Sequence, residues 1–263
     1  MINYQLRTCP GWTCNLNFNP DLGRGFFMPV KSLHIAIDGP IGSGKSTVAK
    51  EISRRLNIFL IDAGGIYRAA AYIALRDGLN PQQAKEIAAR LKKAKLIERL
   101  PAAKEQDGRK ITVLLDGKDI SWDIRGHTID DIVAKIAFHK EVINVVHEKE
   151  RLLAKSRNVV IEGREIGTMV FPDAQVKVYL TADVHERAKR RFSEYDVKGD
   201  KTPHREIVRS LKERDELDMK RAYAPLRKAE DATVIDTTGK SVDAVVDIIL
   251  KLVPKEYLEQ TQK

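Results

Sequence analysis

Leu33 to Asn57 reads LHIAIDGPIGSGKSTVAKEISRRLN, a strand, a glycine-rich turn and a helix in that order. Leu33, Ile35 and Ile37 belong to an apolar run suited to a buried parallel strand. Val48, Ile52 and Leu56 then recur at helical spacing. Between the two, Gly39 to Ser46 fits the phosphate-binding pattern G-x-x-x-x-G-K-[ST]. A chain of this length meets that pattern by accident about one time in a hundred, and here both flanks are what the pattern requires.

The residue types explain the chemistry. Gly39, Pro40, Ile41, Gly42, Ser43 and Gly44 make a loop whose glycines leave backbone N–H groups uncovered, at a helix N-terminus where phosphate oxygens are stabilised. Lys45 supplies a cation to the outer phosphates. Ser46 supplies a hydroxyl for Mg²⁺, with Thr47 beside it as a second hydroxyl.

Composition narrows the class. Of 263 residues, 43% are hydrophobic and 32% charged, ordinary values for a soluble globular protein. No apolar run approaches the roughly 18 residues of a membrane span, and the first 28 residues lack the pattern of a secretory signal. A cytoplasmic monomer with no membrane partner is expected. The formal charge of +9 is concentrated, since residues 185 to 228 hold 14 Lys or Arg against 9 Asp or Glu. Such a cluster suits a phosphate-rich small ligand as well as a polynucleotide. Cys9 and Cys14 lack a second ligand pair for zinc and read as incidental.

Residues 1 to 28 show no sustained periodicity and read as a disordered extension or a translation-start artefact, since Met28 would begin the fold cleanly. From 29 to 263 strand and helix signals alternate, which predicts a three-layer α/β fold. Ile58 to Ile61 is a short strand, and Asp62-Ala63-Gly64-Gly65 turns into a helix from about Ile66 to Arg76; Asp62 thus stands at the carboxyl end of a strand, where open sheets bind ligands. Pro81 to Lys93 is a further helix. Ile111, Val113 and Leu115 then alternate with polar neighbours between Asp107-Gly108 and Asp116-Gly117, the signature of antiparallel hairpins in an inserted subdomain. Helices follow at about 128 to 138 and 141 to 156. Core strands resume at 158 to 162 and 175 to 180, followed by a charged helix at 183 to 195, a polar break at 199 to 203 and a helix at 204 to 219. A last strand at 233 to 236 and a closing helix at 242 to 253 complete the chain.

On the 204 to 219 helix and its end, Ile207, Leu211, Arg214, Asp218 and Arg221 lie within about 40° of one direction, so an apolar stripe becomes a charged one. These charges either form surface salt bridges or face a ligand against the body of the protein. Arg164, directly after a core strand, either pairs with Glu162 or meets a ligand. Arg187, Lys189, Arg190 and Arg191 are either a solvated helix face or a flap that neutralises migrating charge in phosphoryl transfer.

GPIGSGKST, IDAGGIYR at 61 to 68, VVIEGREIGTMVFPDAQVKVYLTADVHERAKRR at 159 to 191 and LKERDELDMKRAYAPL at 211 to 226 together resemble the bacterial cytidylate kinase family, in order and from about Ser32 to Leu252. The resemblance implies a P-loop kinase core with a five-stranded parallel sheet. It also implies a nucleoside-monophosphate-binding insertion (about 62 to 157) with a small antiparallel sheet, and an arginine-rich lid (about 187 to 220) bringing Arg187 and Arg191 to the donor. ATP would be the phosphoryl donor, with Mg²⁺, and a pyrimidine nucleoside 5′-monophosphate, CMP or dCMP, the acceptor. Arg68, Arg164 and Arg221 would hold the acceptor phosphate, Asp62 and Asp218 would reach its sugar, and Arg214 would lie between donor and acceptor phosphates.

The chain departs from the family at base-reading positions. Ala63 stands for the usual Ser, Glu165 for the Asp of GRD, and Ala134 and Ile143 fall where a Ser and an Arg face the cytosine. Glu165, ahead of Lys135 or Arg125, is the expected substitute reader. Another nucleoside monophosphate or small phosphoryl acceptor is the neighbouring alternative. A regulatory GTPase is disfavoured: the D-x-x-G at Asp62 comes only 17 residues after Lys45, and N-K-x-D is absent. An RNA-binding module lacks the aromatic-studded basic strand it would need.

Overall fold

The computed structural model describes residues 32–105, 107–109, 111–196 and 202–261. The expected extension, with Cys9 and Cys14, lies outside them. In chain order the elements are β1 (His34–Asp38), α1 (Lys45–Leu56), β2 (Phe59–Asp62), α2 (Ala63–Arg76), α3 (Ala84–Lys93), β3 (Leu96–Arg99), β4 (Thr112–Leu115) and β5 (Lys118–Asp119). There follow α4 (His127–Ile136), α5 (Lys140–Ala154), β6 (Val159–Gly163), a π-helical turn (Ile166–Val170), β7 (Val176–Thr181), α6 (Val184–Asp196), α7 (His204–Met219), β8 (Thr233–Asp236), α8 (Val242–Leu250) and α9 (Lys255–Thr261).

Runs such as Ile35-Ala36-Ile37 and Val159-Val160-Ile161 have no polar alternation, so both faces of their strands need cover, and all six residues are buried. They form the centre of a five-stranded parallel sheet in the order β2-β6-β1-β7-β8. The β1-to-β2 and β6-to-β7 connections step across the sheet in opposite directions. Right-handed crossovers then put the intervening segments on opposite faces, giving the three layers expected. The pairing register brings three strand ends level: Asp38 pairs with Gly163 and Tyr179, and Asp62 pairs with Glu162.

Between β2 and β6 the chain builds a second sheet, antiparallel, in the order β3-β4-β5. Its tight hairpin follows from Asp116-Gly117, whose φ values of 52° and 85° suit a type I′ turn and set Leu115 opposite Lys118.

Three features depart from the expectations. β3 was not foreseen, because Glu98 takes one of its inward positions and hides the alternation. α2 starts at Ala63, directly after β2, with both glycines in its first turn. The segment after Gly163 forms a π-helical turn because the Asp38 carboxylate takes the Ile166 and Gly167 N–H groups, at 2.8 and 2.7 Å.

Candidate active site

The phosphate-binding loop leaves β1 pressed against β7. A Cβ on Gly39 would stand 2.0 Å from the Leu180 carbonyl oxygen, so only glycine passes there. Gly44, at φ 92°, caps the N-terminus of α1 in the left-handed region. Lys45 is buried, and its Nζ donates to the Pro40 carbonyl at 2.9 Å, closing the loop on itself. Burial, and then the Arg164 charge, pull its pKa down to about 7. Ser46 Oγ donates to Glu162 Oε1 at 2.6 Å. A hydroxyl and a carboxylate are hard oxygen donors of the kind Mg²⁺ takes alongside phosphate oxygens and water, so this pair fits the cation.

Beside the loop, three guanidinium groups converge on one carboxylate. Arg164 Nε is 3.1 Å from Asp218 Oδ2, while Arg214 Nε and Arg221 Nη2 are 3.3 and 2.6 Å from Oδ1. Asp218 is wholly buried. Burial pushes its pKa up, but Arg164, Arg214 and Arg221 outweigh this and hold it below the aspartate range. Burial, with Arg221 and Arg164 adding like charge, pulls Arg214 down against Asp218. These are therefore not surface salt bridges: three cations share one anion, and the excess positive charge calls for a second anion.

A second group surrounds the end of β2. Asp62 Oδ2 lies 3.8 Å from Arg125 Nη2, and Arg68 Nε lies 3.5 Å from Asp130 Oδ1. Burial raises the Asp62 pKa, but Arg68 and then Arg125 overcome it and keep the carboxylate ionised below its ordinary range. Because Asp62 pairs in register with Glu162, two residues before Arg164, this group and the Asp218 group share one edge of the sheet.

Other expected residues are placed differently. Glu165 is buried, with its Oε1 accepting from Tyr67 Oη at 3.3 Å and lying 3.1 Å from His147 Nε2. It is a core residue here, its carboxyl set between Tyr67 of α2 and His147 of α5. Ile143 is also fully buried in the core; Ala134 is half-buried and Lys135 exposed on α4. Arg187 is buried rather than carried on an open flap. Its guanidinium donates to the Ala182 and Ile41 carbonyls, both at 3.1 Å, and pairs with Asp215 at 2.8 Å. Its charge therefore braces the loop against α6 and α7. Arg191 is half-buried on α6.

Two positioning groups escaped the sequence reading. Thr237 Oγ1 donates within reach of the Ser43 carbonyl at 3.1 Å, and accepts from Arg190 Nη1 at 3.0 Å. Asp38 holds the π-helical turn; burial raises its pKa to about 6 against the two backbone N–H groups it accepts. Threonine after a strand carries no signal of its own, whereas the aspartate immediately before the loop was open to inspection.

A phosphate-binding loop at the carboxyl edge of a five-stranded parallel sheet, faced by clustered arginines and an inserted subdomain, defines a nucleotide-binding phosphotransferase. The cytidylate kinase family model matches residues 35–255. A cytidylate kinase of Shouchella clausii is 43% identical over 230 residues, covering 88% of this chain and 99% of the relative. Those of Halalkalibacterium halodurans and Carboxydothermus hydrogenoformans are 38% and 39% identical, over 84% and 85% of this chain and 97% and 98% of theirs. The chain belongs to the cytidylate kinase family.

Proposed function

We propose that this protein transfers the γ-phosphoryl group of ATP to a pyrimidine nucleoside 5′-monophosphate, CMP or dCMP, giving ADP and the diphosphate. The observation that supports this most is the convergence of Arg164, Arg214 and Arg221 on the single buried Asp218 beside Lys45. Phosphoryl transfer requires positioning and charge neutralisation more than a strong base, because an acceptor phosphate oxygen is already a nucleophile. Lys45 and the loop N–H groups receive the donor phosphates. Arg164 and Arg221, with Arg68, receive the acceptor phosphate, and Arg214 neutralises charge between the two. Asp62 and Asp218 take the sugar hydroxyls. Ser46 and Glu162 would hold Mg²⁺, which would supply further charge neutralisation for the phosphates. Residues 62 to 157 act as the acceptor subdomain, and α6 with α7 as the lid that excludes water.

Base selection rests on few polar contacts, since Glu165 and Ile143 belong to the core. CMP and dCMP are the best acceptors, with UMP less strongly excluded than a site with dedicated donors to the base would achieve. A coupled ADP-release assay with CMP, dCMP, UMP, AMP and GMP tests this. A higher kcat/KM for a purine monophosphate than for CMP overturns the acceptor assignment, and no transfer to any of the five overturns the reaction.

A further inference from the structure

Glu98 occupies a place that alternation reserves for an apolar residue. In β3, Leu96 and Glu98 face inward while Ile97 is exposed, and Glu98 is completely buried. Its Oε2 accepts the backbone N–H of Asp62 at 2.9 Å, a bond from the inserted sheet to the corner where β2 becomes α2. Its Oε1 is buried without a hydrogen-bond partner. Gly65 makes the room: a Cβ there would stand 2.5 Å from Glu98 Oε1 and 3.4 Å from Asp62 Oδ2. Both carboxyl groups therefore press against the same face of the helix start.

The surroundings determine which form of Glu98 can exist there. The charged groups facing it are Asp62 from β2, Glu162 from β6, Glu150 from α5 and Arg125 from the segment before α4. Three of the four are carboxyl groups, and Arg125 is already drawn towards Asp62. Burial, and then Asp62, raise the Glu98 pKa well above the usual glutamate range. An ionised Glu98 would have one hydrogen bond for a full buried charge, beside a second carboxylate.

We propose that Glu98 is a positioning residue, held as the uncharged acid, that fixes the β2–α2 corner through the Asp62 amide and leaves the Asp62 carboxylate, paired with Arg125, facing the acceptor. The neutral acid lies beside Asp62 without repelling it, so Arg125 stays on Asp62. Placement of the inserted sheet is thereby coupled to the carboxylate that meets the acceptor sugar. This rests on the acceptor role given to Asp62 above.

The test compares the parent with Glu98→Gln and Glu98→Ala. Glutamine is isosteric with the neutral acid and keeps the acceptor for the Asp62 N–H, so acceptor KM stays within about threefold of the parent. Alanine loses that acceptor and lets the corner shift, raising acceptor KM by about tenfold or more while donor KM is unchanged. In the parent, acceptor KM climbs at alkaline pH as Glu98 ionises, and Glu98→Gln removes that rise. Glutamine as damaging as alanine, or an alkaline rise that persists in Glu98→Gln, overturns the proposal. Infrared difference spectra separate this from a failure of the acceptor reading, because they need no turnover. A protonated-carboxyl C=O band present in the parent at neutral pH and missing from Glu98→Gln supports the proposal even if no monophosphate is phosphorylated; its absence from the parent overturns it.

Discussion

At the scale of single residues, the two groups that matter most both lose protons more readily than usual, Lys45 through burial and Asp218 through its arginines against burial. Lys45 is buried, and its folded pKa of about 7 lies below its ordinary value of 10.5. The folded state therefore binds fewer protons than the unfolded one between those values. Stability from this group rises with pH across that window and is lost as the pH falls through about 7. Bound phosphates restore the charge, so triphosphate binding at mildly alkaline pH takes up a proton. Calorimetric titration in two buffers of different ionisation enthalpy reads that uptake, and Lys45→Met abolishes it. The same substitution lowers kcat by about 10²-fold or more without lowering Tm, since it removes a desolvated cation rather than a packing contact. Asp218 acts in the same sense but in a more acidic window. Its folded pKa is depressed, so its stabilisation is present above the usual aspartate range and is lost as pH falls through the folded value. Asp218→Asn leaves three guanidinium groups without their shared anion and costs about 3 to 5 kcal/mol. Added phosphate recovers part of that loss in a thermal melt; a variant whose Tm ignores phosphate would count against an anion site among these arginines.

At the scale of elements, the site depends on how strands and helices are fastened at their ends. Arg187 on α6 ties the Ile41 carbonyl of the loop to Asp215 on α7. Arg187→Ala should raise the KM for ATP by about tenfold or more and speed amide exchange in α6, α7 and the loop, while acceptor KM changes less. Equal effects on both KM values would show that the brace serves the whole fold rather than the donor side. Gly39 is the matching constraint on the strand side. Gly39→Ala drives a methyl into the Leu180 carbonyl and adds strain at φ 147°, so the β1–β7 contact must open. A loss of stability of about 2 kcal/mol or more, read from denaturant midpoints, is expected. The π-helical turn after Gly163 follows the same logic, since Asp38 supplies acceptors that an ordinary helix would find in its own carbonyls.

At the scale of the whole molecule, the groups proposed for donor and acceptor stand on one sheet edge, so their ligands should stabilise the fold together. A bisubstrate analogue joining the two nucleotides raises Tm above either nucleotide alone at saturating concentration; a shift no larger than that of ATP would place the acceptor elsewhere. The strand–loop–helix at Leu33 to Asn57 and most of the later alternation were legible from residue order, because apolar runs and helical spacing are local and short-range sterics enforce them. Glycine in the loop, lysine after it and the stripe from Arg214 to Arg221 are equally local. The partners were not legible. Whether Asp218 meets water or Arg164, whether Glu165 faces a ligand or His147, and whether Glu98 belongs to a strand at all depend on residues brought together from 18 to 54 positions away. Burial, which decides the charge each carboxyl can carry, is a property of the surrounding chain and has no signature in the residue itself. The linear order thus carries the elements and the phosphate loop, while packing selects which charges pair, which stay neutral and which remain for a ligand.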